Sequence, residues 1–156
     1  MSTLLSENFT LEELIFSENA RRLNIDNSPT PELLEHAKLY LVPGLEKIRA
    51  LIKSPIKVTS GYRSPALNRV TPGSASNSQH SKFEAADIVS PKFGSVVDLA
   101  KIIIDSKKIN FDQLIYEYDS WVHISFSDRN RGEILTKRSN ERYKVGIILK
   151  NGTRIL

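Results

Sequence analysis

Gln113-Leu114-Ile115-Tyr116-Glu117-Tyr118-Asp119-Ser120-Trp121-Val122-His123-Ile124-Ser125-Phe126 reads as two strands with a three-residue connection at 118–120. Each run is short and rich in β-branched and aromatic residues, the pattern of a hairpin. Side chains alternate along a strand, so Val122, Ile124 and Phe126 share one face and Trp121, His123 and Ser125 the other. The first face is core. The second presents a histidine beside an indole and a hydroxyl. If the hairpin pairs residue 117 with 121, Glu117 and His123 are diagonal neighbours on that second face, with β-carbons about 7–8 Å apart.

Upstream of this hairpin, Ile56 to Thr59 and Ala86 to Val89 read as two further strands, the second ended by Ser90-Pro91. Residues 60–79 between them hold Gly, Pro, Ser and Asn throughout and predict a long loop with one helical turn near Leu67-Asn68. Loops of this length inside a compact domain are usually functional. Thr10 and Glu13 make a capping box that opens a short helical entry over 9–23. Thr30 and Pro31 then start a long amphipathic segment with Leu33, Leu34, Ala37, Leu39, Tyr40, Leu45, Ile48, Leu51 and Ile52 as its apolar stripe. Pro43 falls inside it and should kink or split the helix. Residues 95–107 predict another helix, with Val96, Leu99, Ala100, Ile103 and Ile104 inward, and 145–149 with 153–156 predict a last hairpin around Asn151-Gly152. The expected fold is a single compact α+β domain: a small antiparallel sheet with helices packed on it. Residues 1–137 should form the working domain, and 138–156 a basic hairpin or extension of it.

Composition narrows the chemistry. The 156 residues contain three histidines and no cysteine, which excludes a disulfide scaffold, a thiolate nucleophile and a cysteine-based metal site. A transition metal would have to rest on His, Asp and Glu. No apolar run approaches the ~18 residues a membrane span needs, and Met1 to Glu7 lacks the basic start and apolar stretch of a signal peptide. The expectation is a monomer made in a cytoplasm. The net charge of +4 is uneven. Residues 129–156 carry eight basic side chains against Glu133 and Glu141, which gives +6 there and leaves −2 for the rest. Such a cationic end suits a polyanionic partner or simply a solvated face. Without an arginine-rich run or interleaved aromatics, nucleic acid is not expected.

His80 and Asp87 stand seven residues apart, at the end of the polar loop and in the next strand, and His123 lies in the hairpin. Two histidines and a carboxylate on rigid elements suffice for a catalytic zinc with an open fourth position. Equally, each histidine could be satisfied structurally. His36, on the polar side of its helix, reads as surface.

Five ordered blocks bear on that choice: Ser60-Gly61-Tyr62-Arg63-Ser64-Pro65-Ala66-Leu67-Asn68, Ser78-Gln79-His80, Ala85-Ala86-Asp87-Ile88, Asp112-Gln113-Leu114-Ile115 and Trp121-Val122-His123-Ile124-Ser125. Together with the opening Phe9 to Leu14, over about residues 7–137, they resemble the zinc D-Ala-D-Ala carboxypeptidase-like peptidases. The likeness is strongest to the bacteriophage peptidoglycan peptidases, or endolysins. The resemblance implies one zinc per chain held by His80, Asp87 and His123. It implies Arg63 as the group that supports substrate or a developing oxyanion, a structural salt bridge being the other reading. Ser78, Tyr62 and Trp121 would contact substrate. The implied reaction is hydrolysis of an amide in the peptide stem of peptidoglycan, with a glutamate activating the zinc-bound water. Without a signal peptide, the protein would reach the wall on release or lysis, or inside a virion, and its basic end would meet wall polymers.

Three departures accompany the likeness. The glycine of the S-x-H-x-x-G-x-A-x-D pattern is Phe83, so the loop should turn differently or the ring should pack over the site. Val70-Thr71-Pro72-Gly73-Ser74 replaces a Val-Gly-Gly-Ser run. Ser120 stands where some relatives carry the general-base glutamate, which makes Glu117 the favoured base, with Asp119 and Glu84 as competitors. Diagonal spacing of Glu117 and His123 leaves room for a zinc and its water. Phe83 and Ser120 also allow an impaired wall-binding or virion module of the same fold. A lysozyme using Glu117 and Asp119 is a third reading, which would leave three ordered metal ligands unexplained.

Overall fold

The computed structural model describes residues 2–156. Strands form at Lys57–Ser60 (β1), Ala85–Val89 (β2), Gln113–Glu117 (β3), Trp121–Ser125 (β4), Glu133–Lys137 (β5) and Lys144–Val145 (β6), all in one sheet of order β1-β2-β4-β3-β5-β6. Neighbours are antiparallel except β3 and β5, which run parallel. The hairpin pairs Glu117 with Trp121, with Tyr118 and Asp119 both in the left-handed conformation that a tight two-strand turn needs.

Helices occupy Leu11–Ile15 (α1), Glu18–Arg22 (α2), Pro31–Leu39 (α3), Leu41–Ile52 (α4), Pro65–Val70 (α5) and Val96–Asp105 (α6). The single entry helix expected over 9–23 is two, because Phe16 takes extended backbone and Ser17 caps a fresh start. The long amphipathic segment breaks at Tyr40 rather than at Pro43. A proline ring excludes the carbonyl four residues before it, here that of Leu39, so the break falls there. The change of direction turns Leu39 out of the expected stripe and leaves it 66% exposed.

One face of the sheet, carrying Ile88, Leu114, Tyr116, Val122 and Ile124, joins Leu41, Leu45 and Ile48 of α4 and Leu99 and Ile103 of α6 in a continuous core. The opposite face carries Asp87, Ile115 and His123, and is also buried. There the segment between β1 and β2 folds back, bringing Gln79 and His80 onto Asp87 and His123. Residues after 137 join the same body: β6 extends the sheet through β5, Ile147 is fully buried in the core, and Ile148 bridges Arg154 across the Asn151-Gly152 turn.

Candidate metal centre

Asp87 and His123 are direct cross-strand partners on β2 and β4, which puts both side chains on one face with Ile115 of β3 beside them. Their nearest atoms, Asp87 Oδ1 and His123 Nδ1, are 3.1 Å apart. His80 arrives from the loop with Nε2 3.2 Å from the same Asp87 oxygen. One ligand atom from each of the three lies within 4.8 Å of the others, and all three residues are buried. Two imidazoles and a carboxylate converging on one small volume match the donor set of a catalytic zinc. Burial opposes ionisation of Asp87, but the neighbouring imidazoles of His80 and His123 outweigh it and hold the carboxyl well below its ordinary range.

The loop that delivers His80 is fixed at three points. His80 Nδ1 donates to the Gly61 carbonyl at 2.7 Å, which leaves Nε2 for the centre. Gly61 itself must lack a β-carbon, because one would collide with the Leu14 carbonyl of α1. Finally, Phe83 lies at φ +56° and 0% exposure, with its ring 5.1 Å from that of Tyr62. This is the left-handed conformation that glycine adopts without cost. The loop therefore keeps the turn that a glycine there would make, and the phenyl ring packs into the core rather than over the site. Tyr62, expected to contact substrate, is likewise a core residue at 3% exposure.

Glu117 stands on the same face as His123, two residues along β3, with Oε1 3.8 Å from His123 Nδ1. Trp121 Nε1 donates to that oxygen at 3.2 Å, and the indole also packs on Tyr118. Burial pushes the Glu117 carboxyl above its ordinary value and the Asp87 charge adds to this, against His123, the Trp121 bond and Arg63. The other acids are engaged elsewhere. Asp119 makes a two-point pair with Arg138 at 2.6 and 3.0 Å, and Glu84 is clamped between His36 at 3.0 Å and Arg129 at 2.8 Å. His36 is thus half-buried and tied to Glu84 rather than free on the surface.

Arg63 finds no carboxylate within ion-pairing distance among the described residues, which removes the salt-bridge reading. Its guanidinium donates to Ser78 Oγ at 3.5 Å, and its buried Nε has no partner. Burial lowers its pKa while Asp87 and Glu117 raise it, the signature of a cation facing the site. Ser78 Oγ in turn accepts from the His80 backbone N–H at 3.2 Å.

Sequence reasoning did not single out Gln79 or Asp112 as individual residues. Asp112 is 0% exposed and accepts from Gln79 at 2.8 Å, from Arg131 at 2.9 Å twice, and from Arg129 at 3.3 Å. Burial alone would raise this carboxyl, yet Arg131 and then Arg129 bring it down to about 2. A folded-state value below the ordinary one stabilises the fold above about pH 4 and ceases to do so as pH falls towards 2. At 1.36 kcal/mol per unit the increment is about 2 kcal/mol. Urea unfolding should therefore show Asp112→Asn less stable than the parent at pH 6, with the gap closing as pH falls from 4 to 2. A gap that does not change over that interval would contradict the pairing.

The family model described as Peptidase M15 matches residues 7–125, which include the three converging ligands, Arg63 and Glu117. No curated protein matches the chain.

Proposed function

The chain belongs to the Peptidase M15 family, and from that premise we propose that it is a zinc peptidase that hydrolyses an amide bond in the peptide stem of bacterial peptidoglycan. The observation that carries this reading is the convergence of His80, Asp87 and His123 beside a Glu117 whose oxygen lies 3.8 Å from His123. These three residues would hold the ion, which supplies a water of pKa about 7 and polarises a carbonyl.

The chain's own groups do the rest. As water adds to the carbonyl carbon, a Glu117 oxygen accepts its proton. Glu117 then returns that proton to the leaving nitrogen as the C–N bond breaks. Trp121 holds Glu117 in place through the indole N–H, and burial keeps the carboxylate basic enough to accept. Arg63 offers N–H donors, free of any carboxylate, to the negative charge that develops on the carbonyl oxygen. Phe83 no longer argues for an impaired module, since its backbone keeps the glycine-like turn. The pairing of Asp119 with Arg138 likewise ties up the second carboxylate that a lysozyme using Glu117 and Asp119 would need.

Mass analysis of digests of purified peptidoglycan tests the proposal. Zinc-loaded protein should release fragments cut at stem-peptide amides, and a chelator should stop their release. Glycan cleavage that persists with chelator would overturn it.

The basic end would hold the enzyme to polyanionic wall polymers. Arg129, Arg131 and Arg138 are engaged with Asp112, Glu84 and Asp119, whereas Arg142 and Lys150 are exposed, as is Lys144, which pairs with Glu141 at 3.1 Å on the surface. Attraction between exposed charges is screened over about 8 Å at physiological ionic strength. Reversing Arg142, Lys144 and Lys150 to Glu should thus weaken sedimentation with intact wall as high salt does, while cleavage of a small soluble stem peptide hardly changes. Unaltered sedimentation would reduce this end to a solvated surface.

A further inference from the structure

The geometry points to Gln79, anchored by Asp112, as a positioning residue that fixes the ring orientation and protonated nitrogen of His123; we infer this on the reading of His80, Asp87 and His123 as a metal centre. His123 has two ring nitrogens with different neighbours. Nδ1 faces Asp87 Oδ1 at 3.1 Å and Glu117 Oε1 at 3.8 Å, on the side where the three ligands converge. Nε2 faces Gln79 Oε1 at 3.2 Å.

A carboxamide oxygen can only accept, so Nε2 carries the hydrogen and, in the neutral ring that binds a metal, Nδ1 turns its lone pair towards the centre. The direction of the amide is set from the far side. Gln79 Nε2 donates to Asp112 Oδ2 at 2.8 Å, and an ionised carboxylate offers no donor in return. Turning the amide over would set its NH2 group against the His123 N–H and its oxygen against the Asp112 carboxylate, two repulsions in place of two hydrogen bonds. Asp112 is itself immobilised, fully buried with Arg131 Nε and an Arg131 terminal nitrogen each 2.9 Å from its oxygens. The path from Arg131 through Asp112 and Gln79 to His123 can therefore be drawn in one polarity only.

His80 obtains the same service from the backbone, through the Gly61 carbonyl. His123 lies mid-strand with no such carbonyl on its Nε2 among the described residues, and depends on the Gln79 side chain. Partners of this kind fix the tautomer of a metal-binding histidine, and their loss typically weakens metal binding about 10–100-fold.

The test uses the full chain with zinc as the probe. Competition with a chromogenic chelator should show zinc dissociation constants about 10–100-fold higher in Gln79→Leu than in the parent. Gln79→Asn, one methylene too short to span His123 and Asp112, should behave alike and provides a second variant should the leucine chain not fold. In the zinc-loaded parent, nitrogen-resolved NMR should show a His123 Nε2–H protected from exchange with water. That protection should be lost in both variants, a signature that a general packing role for Gln79 would not move. A parent that binds zinc, with variants that bind it within twofold and keep the protected Nε2–H, overturns the inference and leaves the metal centre standing. A parent that binds no zinc overturns the metal-centre reading and the inference with it.

Discussion

Glu117→Gln lowers turnover of a soluble stem peptide by about 10²–10⁴-fold while zinc content and unfolding temperature stay at the parental level. The amide is nearly isosteric, and its oxygen can still accept from Trp121 Nε1, now 3.2 Å from Glu117 Oε1. What it cannot do is take a proton from water. Because Glu117 is not one of the three converging ligands, its loss should leave metal binding in place. The effect should fall on kcat rather than KM, as for a group whose work is done in the transition state. Parental activity in this variant would remove Glu117 from the chemistry. The role would then have to pass to Asp119 or Glu84, either of which would first have to leave its arginine.

Arg63→Lys should be nearly as damaging, with a fall in turnover of about 10²–10³-fold, the usual loss when one donor to a developing oxyanion is removed. Lysine keeps the charge but replaces a planar, rigid fork by a single mobile ammonium. In this chain the fork is placed by the backbone as well as by Ser78: the Arg63 N–H donates to the His80 carbonyl at 3.2 Å, so residue 63 and a ligand share one support. Zinc content should therefore be retained in Arg63→Lys. Steady-state kinetics on the soluble peptide decide the matter, and parental turnover would make Arg63 a packing residue.

Much of this site is legible in the sequence because strand periodicity is strict. Alternation in Trp121 to Phe126 puts His123 opposite the core face, and pairing of 117 with 121 follows from a three-residue connection. Capping signals were equally readable at Thr10 and Thr30, where the side-chain oxygens accept as expected. What could not be read is long-range. β5 was hidden because Glu133 and Lys137 give its ends the charge of a surface tail, and its partner β3 lies beside it in parallel, a pairing without a local turn signal. Tyr62 looked like a site residue because it sits inside a recognisable block, yet its ring points into the core against Phe83. Phe83 shows the opposite case, an apparent break in a pattern that the backbone absorbs at φ +56°. Gln79 and Asp112 are 33 residues apart, and nothing local announces that one orients the other.

Metal analysis of protein purified without added metal tests the central claim most directly. The account predicts one zinc per chain in the parent and none in His123→Ala, with Glu117→Gln as the folded control that keeps its zinc. Full zinc occupancy in His123→Ala, or a folded parent that takes up no zinc when it is supplied, would contradict the assignment of His80, Asp87 and His123 as the metal centre.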